Sequence, residues 1–249
     1  MEIFNSYSLL QLIFVFSAAF IIGLSKAGLK GIDILNVTLM ALVFGGKSST
    51  GVVLPLLCVA DIGAVIYYHR HAQWNHFWKL LPWIAIGILI GVYTGREMNE
   101  PVFRKIMALI IFLTVVIMIF FEFKKSTSIP NNIIFTSSTG IATGITTMLG
   151  NLAGAFSNIY FLAMRIPKNN FIGTAAWVFL VVNFSKLPFQ FFYWHNINKE
   201  SLTTDLVLLP VLFIGFIAGI RIVKIIKDDH FRKIAIFLTL IGAIVMALK

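Results

Sequence analysis

The chain has 249 residues, of which 59% are hydrophobic and only 12% are charged. Soluble domains carry roughly 25% charged residues, so the polar surface that a water-soluble globule needs is missing. The composition excludes a soluble fold and indicates a protein whose solvent is the lipid bilayer. The formal net charge of +10 does not indicate a nucleic-acid partner. In membrane proteins, basic residues concentrate in cytoplasmic loops and near anionic lipid.

Continuously apolar runs follow one another along the whole chain. A helix needs about 20 apolar residues to cross the hydrocarbon, and the alternating pattern of a membrane barrel is absent. Helices are the remaining way to satisfy the backbone in lipid. We therefore predict an all-α membrane protein, a polytopic helical bundle with about eight to ten hydrophobic segments. The ten runs are 9–23, 32–44, 51–68, 77–95, 106–121, 133–149, 152–164, 171–192, 206–226 and 234–248.

The chain consists of two copies of one unit. The string Phe-Arg-Lys-Ile at 103–106 recurs at 231–234, 128 residues later. This periodicity predicts two membrane repeats, residues 1–123 and 132–249, within one integral membrane domain. Further matches at offsets of 122 and 128 pair Gly28 with Gly150, Asn36 with Asn158, Gly51 with Gly173, Asp61 with Asn183, Pro82 with Pro210, Gly87 with Gly215 and Gly91 with Gly219.

Five runs per repeat predict how the repeats are related. An odd number of crossings in each repeat inserts the two copies upside down relative to each other. We therefore predict inverted repeats, with a binding site between them near the midplane. The short runs 32–44 and 152–164 either cross or form a re-entrant hairpin with the run before them, and both alternatives keep the number odd. The basic residues favour both termini outside the cell, in a multi-pass protein of the cell (inner) membrane.

Glycine-rich breaks precede the two short runs. The first reads Gly-Leu-Ser-Lys-Ala-Gly-Leu-Lys-Gly over 23–31, and the second spans 144–154. Glycine permits backbone conformations that a helix excludes, and broken backbone at membrane depth is tolerated where it lines a cavity or is buried in protein. A half-helix that starts at a break offers free N–H groups that attract an anion. The alternative for such glycines is close helix packing. We apply it to the glycines of the fourth run in each repeat, Gly87, Gly91, Gly95, Gly215 and Gly219.

Asp61 lies inside the third apolar run and Lys186 inside the eighth. A charge at the centre of a membrane helix costs at least about 2.5–3.5 kcal/mol, so it faces a partner or a wet cavity. Asp61 is the repeat mate of Asn183, which lies three residues before Lys186 on the same helix face. We therefore predict that these positions approach each other. Two interpretations remain. Either Asp61 and Lys186 form a structural ion pair, or Lys186 receives an anionic substrate while Asp61 tunes it or carries a proton.

A histidine cluster follows the third run. The spacing of His69 and His71 is compatible with a metal site, but the loop supplies no carboxylate or thiolate to complete one. Tyrosine and tryptophan residues flank the loop, as in the aromatic belts of membrane proteins. We predict an interfacial belt here, with no metal and no cofactor.

The order of these features resembles the TauE/SafE family of membrane permeases, which are sulfite exporters and anion permeases. The first break is followed by Gly51, by Ala-Asp-Ile at 60–62 and by Tyr-Tyr-His-Arg at 67–70. Next come Trp74 and Leu-Pro at 81–82, with glycines five and nine residues after the proline. The second copy has Asn-Phe-Ser-Lys-Leu-Pro-Phe at 183–189. The resemblance covers nearly the whole chain.

The resemblance implies transport of small sulfur-containing anions such as sulfite, thiosulfate or organosulfonates. It also implies a path lined by the loops around Gly28 and Gly150, by Asp61 and by the pair of Asn183 and Lys186. The sequence departs from the family pattern after each break, where the family often has a proline. Two asparagines, Asn36 and Asn158, lie near those positions here.

We predict a secondary transporter that works by alternating access and is not an enzyme; the alternatives are a non-transport membrane scaffold and an intramembrane enzyme. No nucleotide-binding loop is present, so the energy comes from an ion gradient, with a proton or a sodium ion as the coupling ion, or from the substrate's own gradient. The expected partners are a small anionic substrate and membrane lipid, and a homodimer is left open. The predicted substrate-binding residues are Lys26, Gly28, Lys30, Asn36, Asp61, Gly150, Asn151, Ser157, Asn158, Asn183 and Lys186.

Overall fold

The structure is a computed structural model that describes residues 7–123 and 132–227, together with 230, 233, 234 and 237. Within these residues, nine α-helices follow one another. They are α1 Leu9–Lys26, α2 Asp33–Phe44, α3 Gly46–Tyr68, α4 Trp74–Arg96, α5 Glu100–Phe123, α6 Ile133–Gly150, α7 Ala153–Ala163, α8 Lys168–Pro188 and α9 Lys199–Ile225. A 3₁₀ turn, His69–His71, follows α3, and a π-helical turn, Phe189–Tyr193, extends α8.

The first nine predicted runs each coincide with one of these helices, which confirms the all-α membrane fold. The tenth run and the segment that joins the repeats fall mostly or entirely outside the described residues. Six of the described helices, α1, α3, α4, α6, α8 and α9, are long and apolar enough to cross a membrane. The short helices α2 and α7 have 12 and 11 residues. At about 1.5 Å per residue, neither reaches across a hydrocarbon core of about 30 Å by itself.

Side-chain caps fix where several helices begin. Ser8 and Gln11 form a reciprocal capping box at the start of α1. The side chain of Asn132 accepts the N–H of Phe135 at the start of α6, the corresponding helix of the second repeat. Each cap satisfies a backbone donor that has no partner within the helix.

The first helix of each repeat packs against the fourth helix of the other, α1 on α9 and α6 on α4. Glycines make both contacts close. A Cβ at Gly23 would overlap the carbonyl oxygen of Leu212, and one at Gly215 would overlap that of Phe20. In the other pair, a Cβ at Gly144 would lie 2.7 Å from the Cα of Gly87.

These contacts confirm close packing for the glycines of the fourth runs and correct one boundary. Gly23 and Gly144, which the sequence assigned to the breaks, lie inside α1 and α6 at helix contacts. Two copies related by a twofold axis would show such equivalent pairing. The upside-down insertion of the repeats and their bounds remain predictions.

Candidate functional site

The first predicted break is confirmed between α1 and α2. Helix α1 ends at Lys26 and α2 begins at Asp33. Between them the backbone takes positive φ angles at Gly28 (+124°) and Gly31 (+95°), a conformation that favours glycine. The carboxylate of Asp33 accepts the N–H of Gly31 over 3.0 Å. An acidic side chain therefore already occupies the N-terminus of α2, where the sequence suggested that a substrate anion is attracted.

The second break is narrower. Helix α6 ends at Gly150, Asn151 has a left-handed backbone (φ +56°), and α7 begins at Ala153 without a side-chain cap. The carboxylate of Asp33 reaches this helix start as well, because a Cβ at Gly154 would lie 2.5 Å from Asp33 Oδ2. One carboxylate thus lies close to the N-termini of both half-helices.

A buried hydrogen-bonded chain connects both repeats. Lys26 Nζ lies 2.6 Å from Asp61 Oδ1 in an ion pair, and Asn183 donates to Asp61 Oδ2 over 2.6 Å. Lys186 Nζ then donates to Asn183 Oδ1 at 3.0 Å and to Asn151 Oδ1 at 2.6 Å. The predicted approach of the third and eighth runs is confirmed.

The structure does not support the first of the two interpretations, a direct ion pair of Asp61 and Lys186. Asp61 pairs with Lys26 from the first break and is linked to Lys186 only through Asn183. Lys186 is fully buried, and its Nζ donates a third hydrogen bond to the hydroxyl of Thr147 over 3.0 Å. An ammonium group with three donors and three oxygen partners has no donor left for a ligand.

A small enclosed cavity lies beside this chain, between the two breaks. The volume open to the centre of a water molecule is about 20 Å³, which is room for about one water. Five predicted residues line it: Lys26, Lys30, Asn36, Asn151 and Asn183. Its other lining residues are Ile22, Ser25, Asp33, Leu57, Ala153, Gly154 and Phe179. Six predicted residues lie outside the lining, namely Gly28, Asp61, Gly150, Ser157, Asn158 and Lys186.

Lys30 is the least satisfied ammonium group in the cavity. Its side chain is buried, and its one hydrogen bond is a long one of 3.4 Å to the carbonyl of Ser25. Its Nζ also lies 5.2 Å from the ring centre of Phe179, and the Nζ of Lys26 lies 4.8 Å from the same centre. Two ammonium groups therefore lie near one aromatic ring, and a carboxylate pairs directly with only one of them, Lys26.

The repeat-matched asparagines also carry unused polar atoms. The side-chain oxygens of Asn36 and Asn158 are buried without a hydrogen-bond partner. Ser157, another predicted substrate-binding residue, donates its hydroxyl to the carbonyl of Ala153 in its own helix. That bond is the usual one for a serine inside a helix.

Sequence reasoning missed several lining residues. Phe179 stands in a continuous apolar run with no signal to distinguish it from packing residues. Gly154 belongs to the predicted second break and Asp33 follows the first as a candidate for further hydrogen bonds, but neither was among the predicted substrate-binding residues. Thr147, which accepts a hydrogen bond from Lys186, lies within the predicted second break, but nothing in the sequence indicated that role.

Long apolar helices, two broken segments and a buried cluster of lysines define a polytopic helical membrane protein with a charged cavity in its interior. The model of the sulfite exporter TauE/SafE family matches residues 15–246. The chain therefore belongs to the TauE/SafE family, and membership implies a membrane exporter of sulfite or a related anion. The comparison with curated proteins and the comparison with solved structures each returned no match.

Proposed function

We propose that the protein is a secondary transporter of the cell (inner) membrane that carries a small sulfur oxyanion or sulfonate by alternating access. The anion binds in the cavity between the two helix breaks, where Lys30 and Lys26 supply positive charge. The observation that carries this proposal is the buried ammonium of Lys30, with its single long hydrogen bond. A buried charge without adequate partners is costly, and a bound anion would supply the partners that the Lys30 ammonium lacks.

The other groups around the cavity suit a compact oxyanion. Sulfite and thiosulfate present several oxygens in a small volume, and each oxygen accepts charge-assisted hydrogen bonds. Lys26 and Lys30, which each carry an ammonium group, line the same cavity. An anion that receives bonds from Lys26 competes with Asp61 for that ammonium. Substrate binding is thereby linked to the chain of contacts from Asp61 through Asn183 to Lys186.

The size of the cavity supports alternating access. A space for about one water is too small for a sulfur oxyanion with its oxygens. The substrate therefore enters only after the surrounding helices move, and α1–α9 and α4–α6 are the close contacts on which the two repeats can rock. The structure then corresponds to a closed form of the cycle.

Uptake of labelled sulfite or thiosulfate into proteoliposomes tests this function. Lys30→Met keeps the length of the side chain but removes the charge, and we expect the KM to rise by about tenfold to a hundredfold, the worth of one charged hydrogen bond. Lys30→Arg keeps the charge and retains part of the affinity. Lys79→Met is the matched control, because Lys79 is an exposed residue of α4.

Two results would contradict the proposal. If the wild-type protein moves no sulfur oxyanion, the transport function is wrong. If Lys30→Met and Lys79→Met both behave like the wild type, transport occurs but the anion binds elsewhere.

A further inference from the structure

A second buried charge site lies on α9, away from the cavity. Asp205 is only 5% exposed, and neither of its carboxylate oxygens has a hydrogen-bond partner. A buried carboxylate with no bond and no cation is among the most costly groups that a membrane helix can carry. Asparagine, threonine or an apolar residue would fill the position at lower cost, so packing does not account for an acid here.

The surroundings of Asp205 are apolar on one side and polar on the other. One turn further along α9, Leu208 packs in the apolar cluster between α1 and α3. Thr204, the residue before Asp205, lines a second cavity of about 210 Å³ together with Ser201 and Glu200. Asp205 therefore lies where the apolar contact of α9 meets a space large enough for several waters.

No described charged group neutralises this carboxylate. The charged residues of α1 and α3 are engaged with other partners: Lys26 pairs with Asp61, and Lys47 donates to the carbonyl of Arg96. On α9 itself, Lys199 and Glu200 are exposed. Two further titratable groups, His195 and Tyr7, line the 210 Å³ cavity beside Thr204. Burial, with a smaller effect from Glu200, raises the pKa of Tyr7, so that phenol stays neutral.

We propose that Asp205 is a proton-binding site that couples anion transport to the proton gradient. The carboxylate takes up one proton from the polar cavity and becomes a neutral acid, which the apolar face of α9 tolerates. It gives the proton up again when α9 moves against α1. The close contact of these helices at Gly23 and Gly215 joins the two repeats, so that a proton on Asp205 biases the movement that exposes the anion site. This inference rests on the proposed transport function.

The transport test uses thiosulfate, whose charge does not change near neutral pH. Proteoliposomes are compared for exchange of labelled thiosulfate without a pH gradient and for its accumulation with one. We expect Asp205→Asn to keep exchange and to lose the accumulation that the pH gradient drives. Glu200→Gln, on the same helix and the same cavity, keeps both. If Asp205→Asn accumulates thiosulfate like the wild type, or loses exchange as well, the coupling role is overturned.

Two readouts do not depend on the substrate. Infrared difference spectra of the purified protein should contain the carbonyl stretch of a protonated carboxylic acid that Asp205→Asn removes and Glu200→Gln retains. The Tm of Asp205→Asn should equal or exceed that of the wild type, because an unsatisfied acid is removed. An Asp205 that is ionised at neutral pH, or whose loss lowers the Tm, contradicts the proposal even if thiosulfate is not transported. Absence of exchange in the wild type, by contrast, counts against the proposed function alone.

Discussion

Asn183 donates a hydrogen bond to Asp61 over 2.6 Å, and the two residues hold equivalent positions in the two copies of the repeated unit. Equivalent positions of a duplicated unit touch each other only where the axis that relates the copies passes between them. We therefore take this contact as the centre of the two predicted inverted repeats. The two copies differ there in one respect that matters, because one supplies a carboxylate and the other a neutral amide. The single carboxylate at the centre pairs with the single ammonium group of Lys26, and the neutral amide of Asn183 needs no second cation.

Removing the carboxylate at this centre should destabilise the fold. Asp61→Asn leaves Lys26 buried without a counter-charge, and breaking a buried ion pair from one side costs about 3–5 kcal/mol. We expect a lower Tm in detergent. The double variant Asp61→Asn with Lys26→Met removes both charges and should recover much of the loss. Equal Tm values for the single and double variants would show that the pair contributes no coupling.

The glycine contacts between the repeats give a second prediction. Gly23→Ala places a methyl group against the backbone of Leu212 in α9, and we expect a loss of about 1–3 kcal/mol or more from overpacking. Gly63→Ala is the control, because its Cβ would meet the ring of Phe216 at 3.5 Å, an ordinary contact. That variant should be neutral or gain up to about 1 kcal/mol from helix propensity. Thermal unfolding followed by fluorescence separates the two; a Gly23→Ala variant as stable as Gly63→Ala refutes the close contact.

Lys30 and Lys186 should respond in opposite ways to the loss of their charge. Lys186→Met leaves the oxygens of Thr147, Asn151 and Asn183 without their donor, and each orphaned acceptor costs about 1–3 kcal/mol. We expect a clear fall in Tm for this variant. Lys30→Met removes an ammonium group with only one long bond, so its Tm should be unchanged or higher while its anion affinity falls. A Tm that falls more for Lys30→Met than for Lys186→Met would reverse the roles assigned to the two lysines.

The sequence predicts the helices, the two breaks and the approach of Asp61 to Asn183, because each depends on apolar length, glycine or the repeat offset. It does not predict which lysine pairs with Asp61. Lys26 has no counterpart in the second copy, where Met148 stands at the equivalent position, so the repeat gives no information about it. Lys26 is the last residue of α1, so its direction depends on how α1 lies against α3, which the repeat offset does not reveal. Asp205 was overlooked because one acid near the start of a long apolar run is ordinarily an interfacial residue, and only its burial distinguishes it.

The carboxylate of Asp33 should compete with the substrate anion for the N-termini of the half-helices α2 and α7. Its carboxylate accepts the N–H of Gly31 and lies against the start of α7 at Gly154, the groups that attract an anion at half-helix N-termini. A bound oxyanion has to lie near this negative charge or displace it. At the effective dielectric of a protein interior, removing a unit charge a few ångström away is worth more than 1.4 kcal/mol.

Asp33→Asn should therefore bind anions more tightly, by roughly tenfold. The amide can still accept the Gly31 N–H, so the break keeps its shape. Titration of the purified protein with sulfite and thiosulfate, followed by the shift in Tm, measures the affinity. Glu97→Gln removes an exposed carboxylate beyond the end of α4 and serves as the control. Weaker binding in Asp33→Asn than in Glu97→Gln would mean that the carboxylate holds the site together rather than competing for it, and the donors near Asp33 would then not be the ones that receive the substrate.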